Sequence, residues 1–432
     1  MANIHSKTLQ DLEFPSVLKQ VSARCHTELG KAVALEIAPY ITEEVIKIEL
    51  GKTAEYLSSL ISENRIPNHG FDSINGDLKL LKIENTTLEL QGFKRIASIC
   101  TTVAEHQKFF KKFKEYYPLF YDFALKLEPN TEISVLINNV IDRFGEVKDN
   151  ASDQLFGIRR QINVVRGKIS QSFGSALNTY QSSDYLDEIR ESVVENRRVL
   201  AVKAMYRKKV KGAVMGTSKT GSIVYIEPEA ALKYSRELNN LEFEEKEEVQ
   251  RILKQLTAQI RPFRALLRDY QEFLSQVDVI AAKAKYAEDI DALLPKINSN
   301  NRLFLRDAYH PLLFLNNKRK GEKTYPQTIE LHDENRIIVI SGPNAGGKSI
   351  TLKTIGLLQV MLQSGMLIPV HERSEVCFFK KILTDIGDNQ SIENHLSTYS
   401  YRLKNMNQFL KRCDSNTLFL IDEFGTGSDP EL

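Results

Sequence analysis

The sequence predicts a multidomain α plus α/β chain, mostly helical up to about residue 298 and α/β beyond it. Three observations predict this. An apolar β-branched run, Arg336-Ile337-Ile338-Val339-Ile340-Ser341, leads into the glycine-rich stretch Gly342-Pro343-Asn344-Ala345-Gly346-Gly347-Lys348-Ser349, and helical apolar spacing follows at Ile350, Leu352, Ile355, Leu357, Leu358 and Met361. No proline occurs between Pro129 and Pro228, a span rich in Glu, Gln, Arg and Leu that suits long helices. Inside that span, Val199-Leu200-Ala201-Val202 and Ser222-Ile223-Val224-Tyr225-Ile226 read as strands, with Gly212, Gly216 and Gly221 as turns.

Three consecutive domains are expected. Residues 1–130 are helical pieces punctuated by Pro15, Pro39, Pro67, Pro118 and Pro129. Residues 131–298 hold long helices around a small β insert at 196–226. Ile133 to Tyr180 suits one helix, weakened by Gly145, Gly157, Gly167 and Gly174. From Pro228 to Leu294 a second helical region is interrupted by Pro262. Its stripe is Leu232, Leu238, Leu241, Val249, Ile252, Leu256 and Ile260, with Glu242, Glu244, Glu245, Glu247 and Glu248 on the outer faces. Two long helices separated by a short insert predict an antiparallel arm. Residues 299–432 form the α/β domain.

Composition narrows the class. With 432 residues, 42% hydrophobic and 26% charged, the chain is long enough for several cores. No apolar run reaches the roughly 18 residues that span a bilayer, and Met1 to Lys7 lack the apolar core of a secretory signal, so the expectation is a cytoplasmic protein without a membrane partner. Cys25, Cys100, Cys377 and Cys413 are too scattered for a disulfide or zinc framework. The net charge of +2 means that any affinity for nucleic acid must come from a local basic surface.

Gly342 to Ser349 fits the phosphate-binding loop G-x-x-x-x-G-K-[ST] in its required strand–loop–helix setting. Glycines let backbone N–H groups turn onto phosphate oxygens, and the helix N-terminus adds partial positive charge. Lys348 then reaches the β/γ-phosphates and the Ser349 hydroxyl coordinates magnesium. About 70 residues later, Thr417-Leu418-Phe419-Leu420-Ile421 ends in Asp422-Glu423. In a P-loop ATPase the first carboxylate holds magnesium and the second polarises the attacking water. ATP and Mg²⁺ are the implied cofactors, with Glu423 and Lys348 as the catalytic candidates. Lys381 to Asp388 reads as a further strand and turn. Leu396-Ser397-Thr398-Tyr399 opens a helix with Ser397 as N-cap and Tyr399, Leu403, Met406 and Leu410 as its stripe. On local grounds it is a capped helix; the alternative aims its dipole and hydroxyls at a γ-phosphate of another subunit.

Between Asn196 and Ile226 there is no acidic residue, whereas Arg197, Arg198, Lys203, Arg207, Lys208, Lys209, Lys211 and Lys219 are basic. A basic β-element at the end of an arm would attract phosphate backbones through counterion release without reading sequence; the alternative is a solvated basic hairpin.

These residues resemble the MutS family, and within it the second bacterial branch, MutS-II, over nearly the whole chain. The carriers are the P-loop with Pro343-Asn344, Tyr309-His310-Pro311-Leu312 before it, and Asp422-Glu423-Phe424-Gly425-Thr426-Gly427 after it. Asp385-Ile386-Gly387-Asp388, Gln390-Ser391-Ile392, Leu396-Ser397-Thr398 and Ser428-Asp429-Pro430 resemble the MutS-II form. The chain also starts directly with helical lever material, without room for mismatch-reading and connector domains. An aromatic-x-Glu triplet, Phe243-Glu244-Glu245, sits on an acidic helix and reads as structural.

The resemblance implies a helical lever and clamp with a basic tip, followed by an ABC-type P-loop ATPase domain. It implies a homodimer in which Ser397 and Thr398 face a nucleotide bound by the partner subunit. Asn344 contacts phosphate, and Tyr325 falls near an adenine-contacting position. The implied partners are DNA junctions or duplex, or the ribosome; the implied roles are control of recombination and repair, or rescue of collided ribosomes. Family members continue beyond the acidic pair with further ATPase strands, dimerising helices and, in MutS-II, a nuclease-bearing Smr domain. The expectation is therefore a truncated chain with an incomplete ATPase domain and no nuclease activity. The alternatives are a mismatch-repair MutS protein and a catalytically inert binding fragment.

Overall fold

The computed structural model describes residues 4–342, 347–386 and 406–422. They group into two compact units that interleave in sequence. The first comprises residues 1–73, 98–129 and 266–432, and the second residues 74–97 and 130–265. The consecutive division at 130 and 298 is thus not the grouping of the compact units, because distant segments share cores.

In chain order the helices begin with α1 (Ser6–Asp11), α2 (Phe14–Ser22), α3 (Glu28–Leu35), α4 (Glu43–Ile61), α5 (Asn75–Lys82), α6 (Leu90–Lys112), α7 (Pro118–Leu125) and α8 (Glu132–Val140). Their starts follow local rules. Thr27 Oγ1 caps α3 by accepting from Gly30 N at 2.9 Å, and Pro118 occupies the first turn of α7, where its missing N–H costs nothing. The single helix expected over Ile133 to Tyr180 is instead two. Ile141 and Val147 form a β-bridge across a turn in which Gly145 has φ 84°, and α9 (Asp153–Ser182) starts anew behind Ser152, whose Oγ accepts from Leu155 N at 3.0 Å. Gly157, Gly167 and Gly174 lie within α9, where helical hydrogen bonding and the packing of its apolar stripe outweigh their low propensity.

Four strands follow, β1 (Leu186–Val194), β2 (Arg197–Lys203), β3 (Gly212–Thr217) and β4 (Ile223–Pro228), antiparallel in the order β1-β2-β4-β3. The expected strands correspond to β2 and β4. Glu195 and Asn196, both at positive φ, make the two-residue turn from β1 to β2. Only Gly221 is a turn glycine; Gly212 and Gly216 lie inside β3, Gly212 because a Cβ there would stand 2.1 Å from the Glu227 carbonyl oxygen. Phe173 of α9 packs with Leu186, Leu200, Val202, Val210, Val224 and Ile226 under this sheet.

Then come α10 (Glu229–Ile260) and α11 (Arg264–Asp289), separated by a 3-10 turn at Arg261–Phe263 that holds Pro262. Helices α9 and α10 run antiparallel: Ser152, Arg159 and Arg166 meet Glu248, Glu245 and Glu242 in reverse order, around Ile158, Ile162, Val165 and Leu241. This corrects the placement of three of the five α10 glutamates, while Glu244 and Glu247 are exposed as expected. Glu248 is buried and held by Ser152 and Arg251, and Glu245 and Glu242 pair with arginines of α9, so they are interhelical rather than outer groups. Phe243 is 61% exposed on α10.

The first unit is completed by β5 (Lys296–Ile297), β6 (Leu303–Ala308), α12 (Pro311–Lys320), β7 (Gln327–Leu331), α13 (Lys348–Gln363), β8 (Glu375–Val376), β9 (Lys381–Asp385) and β10 (Thr417–Ile421). One sheet has the order β5-β8-β6-β7, and β9 and β10 form a parallel pair. A single apolar cluster joins Phe14, Val17 and Val21 of α2, Ile46 and Leu50 of α4, Tyr286 of α11, Leu357, Leu358 and Met361 of α13, Ile382 of β9, and Leu418 and Leu420 of β10. The N-terminal helices therefore supply core to the segment that carries the glycine loop. The buried strand expected at 336–341 is absent: these residues take no strand assignment, and Ile337 and Val339 are 83% and 85% exposed. A parallel strand exists through its neighbours' hydrogen bonds, and among the described residues no strand pairs with this run.

Candidate functional site

Helix α13 starts at Lys348, directly after Gly347, whose φ of 81° is a left-handed turn that suits glycine. Gly347, without a side chain, makes no side-chain cap to the start of α13. Lys348 Nζ donates to Gly342 O at 2.8 Å. Pro343, Asn344, Ala345 and Gly346 lie outside the described residues.

Strand β10 carries the second motif to the same place. Thr417 to Ile421 pair in parallel with Lys381 to Asp385, and Asp422 N donates to Asp385 O at 3.0 Å, fixing the end of the strand. There Ser349 Oγ donates to Asp422 Oδ2 at 2.5 Å. A hydroxyl and a carboxylate in contact at a helix N-terminus form the kind of all-oxygen set that magnesium takes, with waters and phosphate oxygens completing the shell. The residues fit the ion. Glu423, Ser397 and Thr398 lie outside the described residues; 406–412, including Met406 and Leu410 of the expected stripe, are helical.

Several groups that brace α13 escaped the sequence reading. Lys353, one turn beyond Ser349, pairs with Glu13 at 2.7 Å, and this hydrogen bond holds the Glu13 carboxyl below its usual range. Leu12 and Leu420 approach Gly356 so closely that a Cβ would stand 2.5 Å from each. Thr384 of β9 donates to Asp11 Oδ2 at 2.9 Å. His310, from the Tyr309-His310-Pro311-Leu312 segment, is buried, caps α12 and is shifted down by desolvation. No local pattern in sequence announces the contacts of Glu13 with Lys353 and of Asp11 with Thr384, whose partners are 340 and 373 positions apart. Tyr325 is 75% exposed with Lys323 Nζ 5.3 Å from its ring centroid, a contact that does not join it to Ser349 and Asp422.

In the second unit, the basic residues divide into two groups. Arg197 pairs with the buried Glu227 at 2.9 Å, Arg198 with Glu191 at 2.6 Å, and Lys203 with Asp184 at 3.0 Å. The acids stand just outside the acid-free window, and strand pairing brings them back. Arg207, Lys208, Lys209, Lys211 and Lys219 are exposed and form no ion pair among the described residues. Lys209 Nζ lies 5.6 Å from the Tyr185 ring centroid and 6.0 Å from that of Tyr206. These tyrosines were missed, although aromatic residues beside a lysine run were a signal in the sequence.

Comparison with known proteins agrees with these features. The model of MutS domain V matches residues 338–431. Endonuclease MutS2 of Finegoldia magna is 35% identical over 428 residues, 98% of this chain and 53% of that protein. The putative endonuclease MutS2 of Bacillus subtilis is 34% identical over 431 residues, 99% and 54%. Endonuclease MutS2 of Caldanaerobacter subterraneus subsp. tengcongensis is 34% identical over 436 residues, 100% and 53%. Identity to these relatives over nearly the whole chain, with the domain V match, places this chain in the MutS family. Within that family it belongs to the MutS2 branch. The chain spans about half the length of the curated relatives it matches. Among the described residues no helix is long and apolar enough to cross a membrane.

Proposed function

We propose that this chain is an ATP-binding and ATP-hydrolysing component of a MutS2-type protein that grips nucleic acid without reading its sequence. The observation that carries the reading is the contact between Ser349 and Asp422, which brings two motifs 73 positions apart to the start of one helix. Bound there, Mg²⁺ would neutralise phosphate charge, held by Ser349 and Asp422. Lys348 and the first amides of α13 would bind the phosphates, with Gly342 to Gly347 as the cradle. Glu423 is the candidate to orient a water. The exposed cations Arg207, Lys208, Lys209, Lys211 and Lys219 support the nucleic-acid half of the reading through their unpaired charge. DNA junctions are the proposed partner, with a ribosomal RNA surface as the competing phosphate-rich polymer. Composite sites in a homodimer, through Ser397 and Thr398, belong to the same proposal.

The test is fluorescent-nucleotide binding and phosphate release by the wild-type chain, Lys348→Ala and Glu423→Ala. Loss of binding in the first variant, and retained binding without turnover in the second, supports the reading. A wild-type chain that binds no nucleotide in the presence of magnesium removes it. Equal affinity for matched and mismatched duplex separates the reading from a mismatch-repair role.

A further inference from the structure

Three tyrosines from three separate segments meet beside the exposed cations of the sheet. Tyr180 is in the last turn of α9, Tyr185 stands just before β1, and Tyr206 lies in the 3-10 turn Ala204–Lys209. The Tyr185 and Tyr206 rings stack with centroids 4.8 Å apart at 29°, and Tyr180 and Tyr185 are 6.4 Å apart at 30°. All three are half-buried, resting on the cluster of Phe173, Leu186 and Val210. Lys209 stands over two of the rings, its neighbours Arg207 and Lys208 are exposed, and Met205 is 77% exposed in the same turn.

We infer that Tyr206, stacked on Tyr185, is a platform for unpaired nucleobases, with Arg207, Lys208 and Lys211 receiving the adjoining phosphates. This rests on the nucleic-acid reading of the basic tip and adds the form of polymer it takes. Near-parallel rings present a flat π surface, and every base has a matching face, so the contact tolerates any sequence. In an intact duplex those faces are covered by neighbouring base pairs. The platform therefore discriminates in favour of strands with exposed bases, as at gaps, branches and ends, while the cations attract any nucleic acid.

The chain contains no tryptophan, so Tyr206→Trp installs a single tryptophan in the stack, which can be excited selectively over the tyrosines. Oligothymidylate, oligouridylate and a covalently closed, fully matched circular duplex without loops or ends are titrated, with anisotropy reporting binding and tryptophan emission reporting stacking. The expected result is quenching that tracks binding of the unpaired oligomers and is missing with the duplex. In parallel, Tyr206→Leu keeps an apolar side chain over the cluster and is expected to weaken single-strand binding roughly 5- to 100-fold. Its duplex affinity stays as in wild type, which also shows that the variant is folded. Tighter oligothymidylate binding assigns DNA as the source of the bases, and tighter oligouridylate binding assigns RNA. Binding of single strands without quenching overturns the platform and leaves the basic-surface reading standing, as does equal weakening of strand and duplex. A wild-type chain that binds none of the three oligomers sinks both.

Discussion

Lys283 Nζ donates to the carbonyl oxygen of Ser364 at 2.7 Å, so a buried ammonium on α11 closes the C-terminal end of the helix that Lys348 begins. Thr53 Oγ1 of α4 donates to Gly365 O at 2.8 Å, and Tyr40 N to Gln363 O at 2.8 Å, so three separate segments grip the same helix end. A cation is well placed against helix carbonyls. Desolvation nevertheless dominates and pulls the ammonium down to about 8 from 10.5. Glu49 opposes that shift and Lys52 adds to it.

The sign of the resulting pH dependence follows directly. A lysine depressed in the folded state contributes stability that is complete above pH 10.5 and is lost as pH falls toward 8. Lys283→Met removes this dependence. The difference in urea-unfolding free energy, wild type minus Lys283→Met, is expected to rise between pH 8 and 10.5 by on the order of 3 kcal/mol. Taking the difference cancels the buried thiols of Cys25, Cys100 and Cys377, which are pushed up and lose stability above pH 9. A flat difference would remove Lys283 from this account.

Asp278 is fully buried and accepts from His26 N at 2.9 Å, Thr27 N at 2.8 Å, Thr27 Oγ1 at 2.6 Å and His69 Nε2 at 3.1 Å. Burial alone would raise its carboxyl, but these donors outweigh it and bring it down to about 2. Its stabilisation is therefore present above pH 3.8 and lost as pH falls toward 2. Asp278→Ala strands several buried donors and is expected to cost about 3–5 kcal/mol in chemical denaturation at pH 7. A cost below about 1 kcal/mol would show that the α2–α3 junction does not depend on it.

Gly212→Ala is expected to disrupt β3 from within. The added Cβ meets a backbone oxygen of β4, which cannot rotate away as a side chain would. A loss of about 1–3 kcal/mol is expected by thermal or urea unfolding. Gly216→Ala, with nothing near its Cβ, serves as the control.

The division of the basic residues makes a quantitative prediction for binding. Replacing Arg207, Lys208, Lys209 and Lys211 with Ala is expected to lower the slope of log affinity against log salt by roughly 3 on duplex DNA. Replacing Arg197, Arg198 and Lys203 is expected to change it by less than about 1, since their carboxylate partners already offset them. Equal effects from the two sets would dissolve the distinction.

Much of the site was legible because its signals are local. The α13 stripe, the apolar strand before Asp422, the α10 stripe and the β2 and β4 runs each depend on neighbours within a dozen positions, where periodicity expresses burial directly. The failures were of another kind. Residues 336–341 have strand composition, but a strand needs a paired neighbour, and composition cannot supply one. An acid-free window suggested eight active cations, yet strand register returned Glu227, Glu191 and Asp184 to three of them. Of the five glutamates read as outer groups, Glu242 and Glu245 belong to an interhelical ion-pair seam, because their partner arginines are some eighty positions upstream.

The amino-acid order alone determined helix α13, the strand that leads to Asp422, the long helices of the arm and the membership in the MutS family. Tertiary structure alone decided that Ser349 touches Asp422, that Glu13 of the N-terminal segment braces Lys353, and that three tyrosines stack beside the unpaired cations. The physical reason is separation along the chain. Propensity and periodicity act over one or two turns, whereas these contacts form only after core packing has closed loops of up to hundreds of residues.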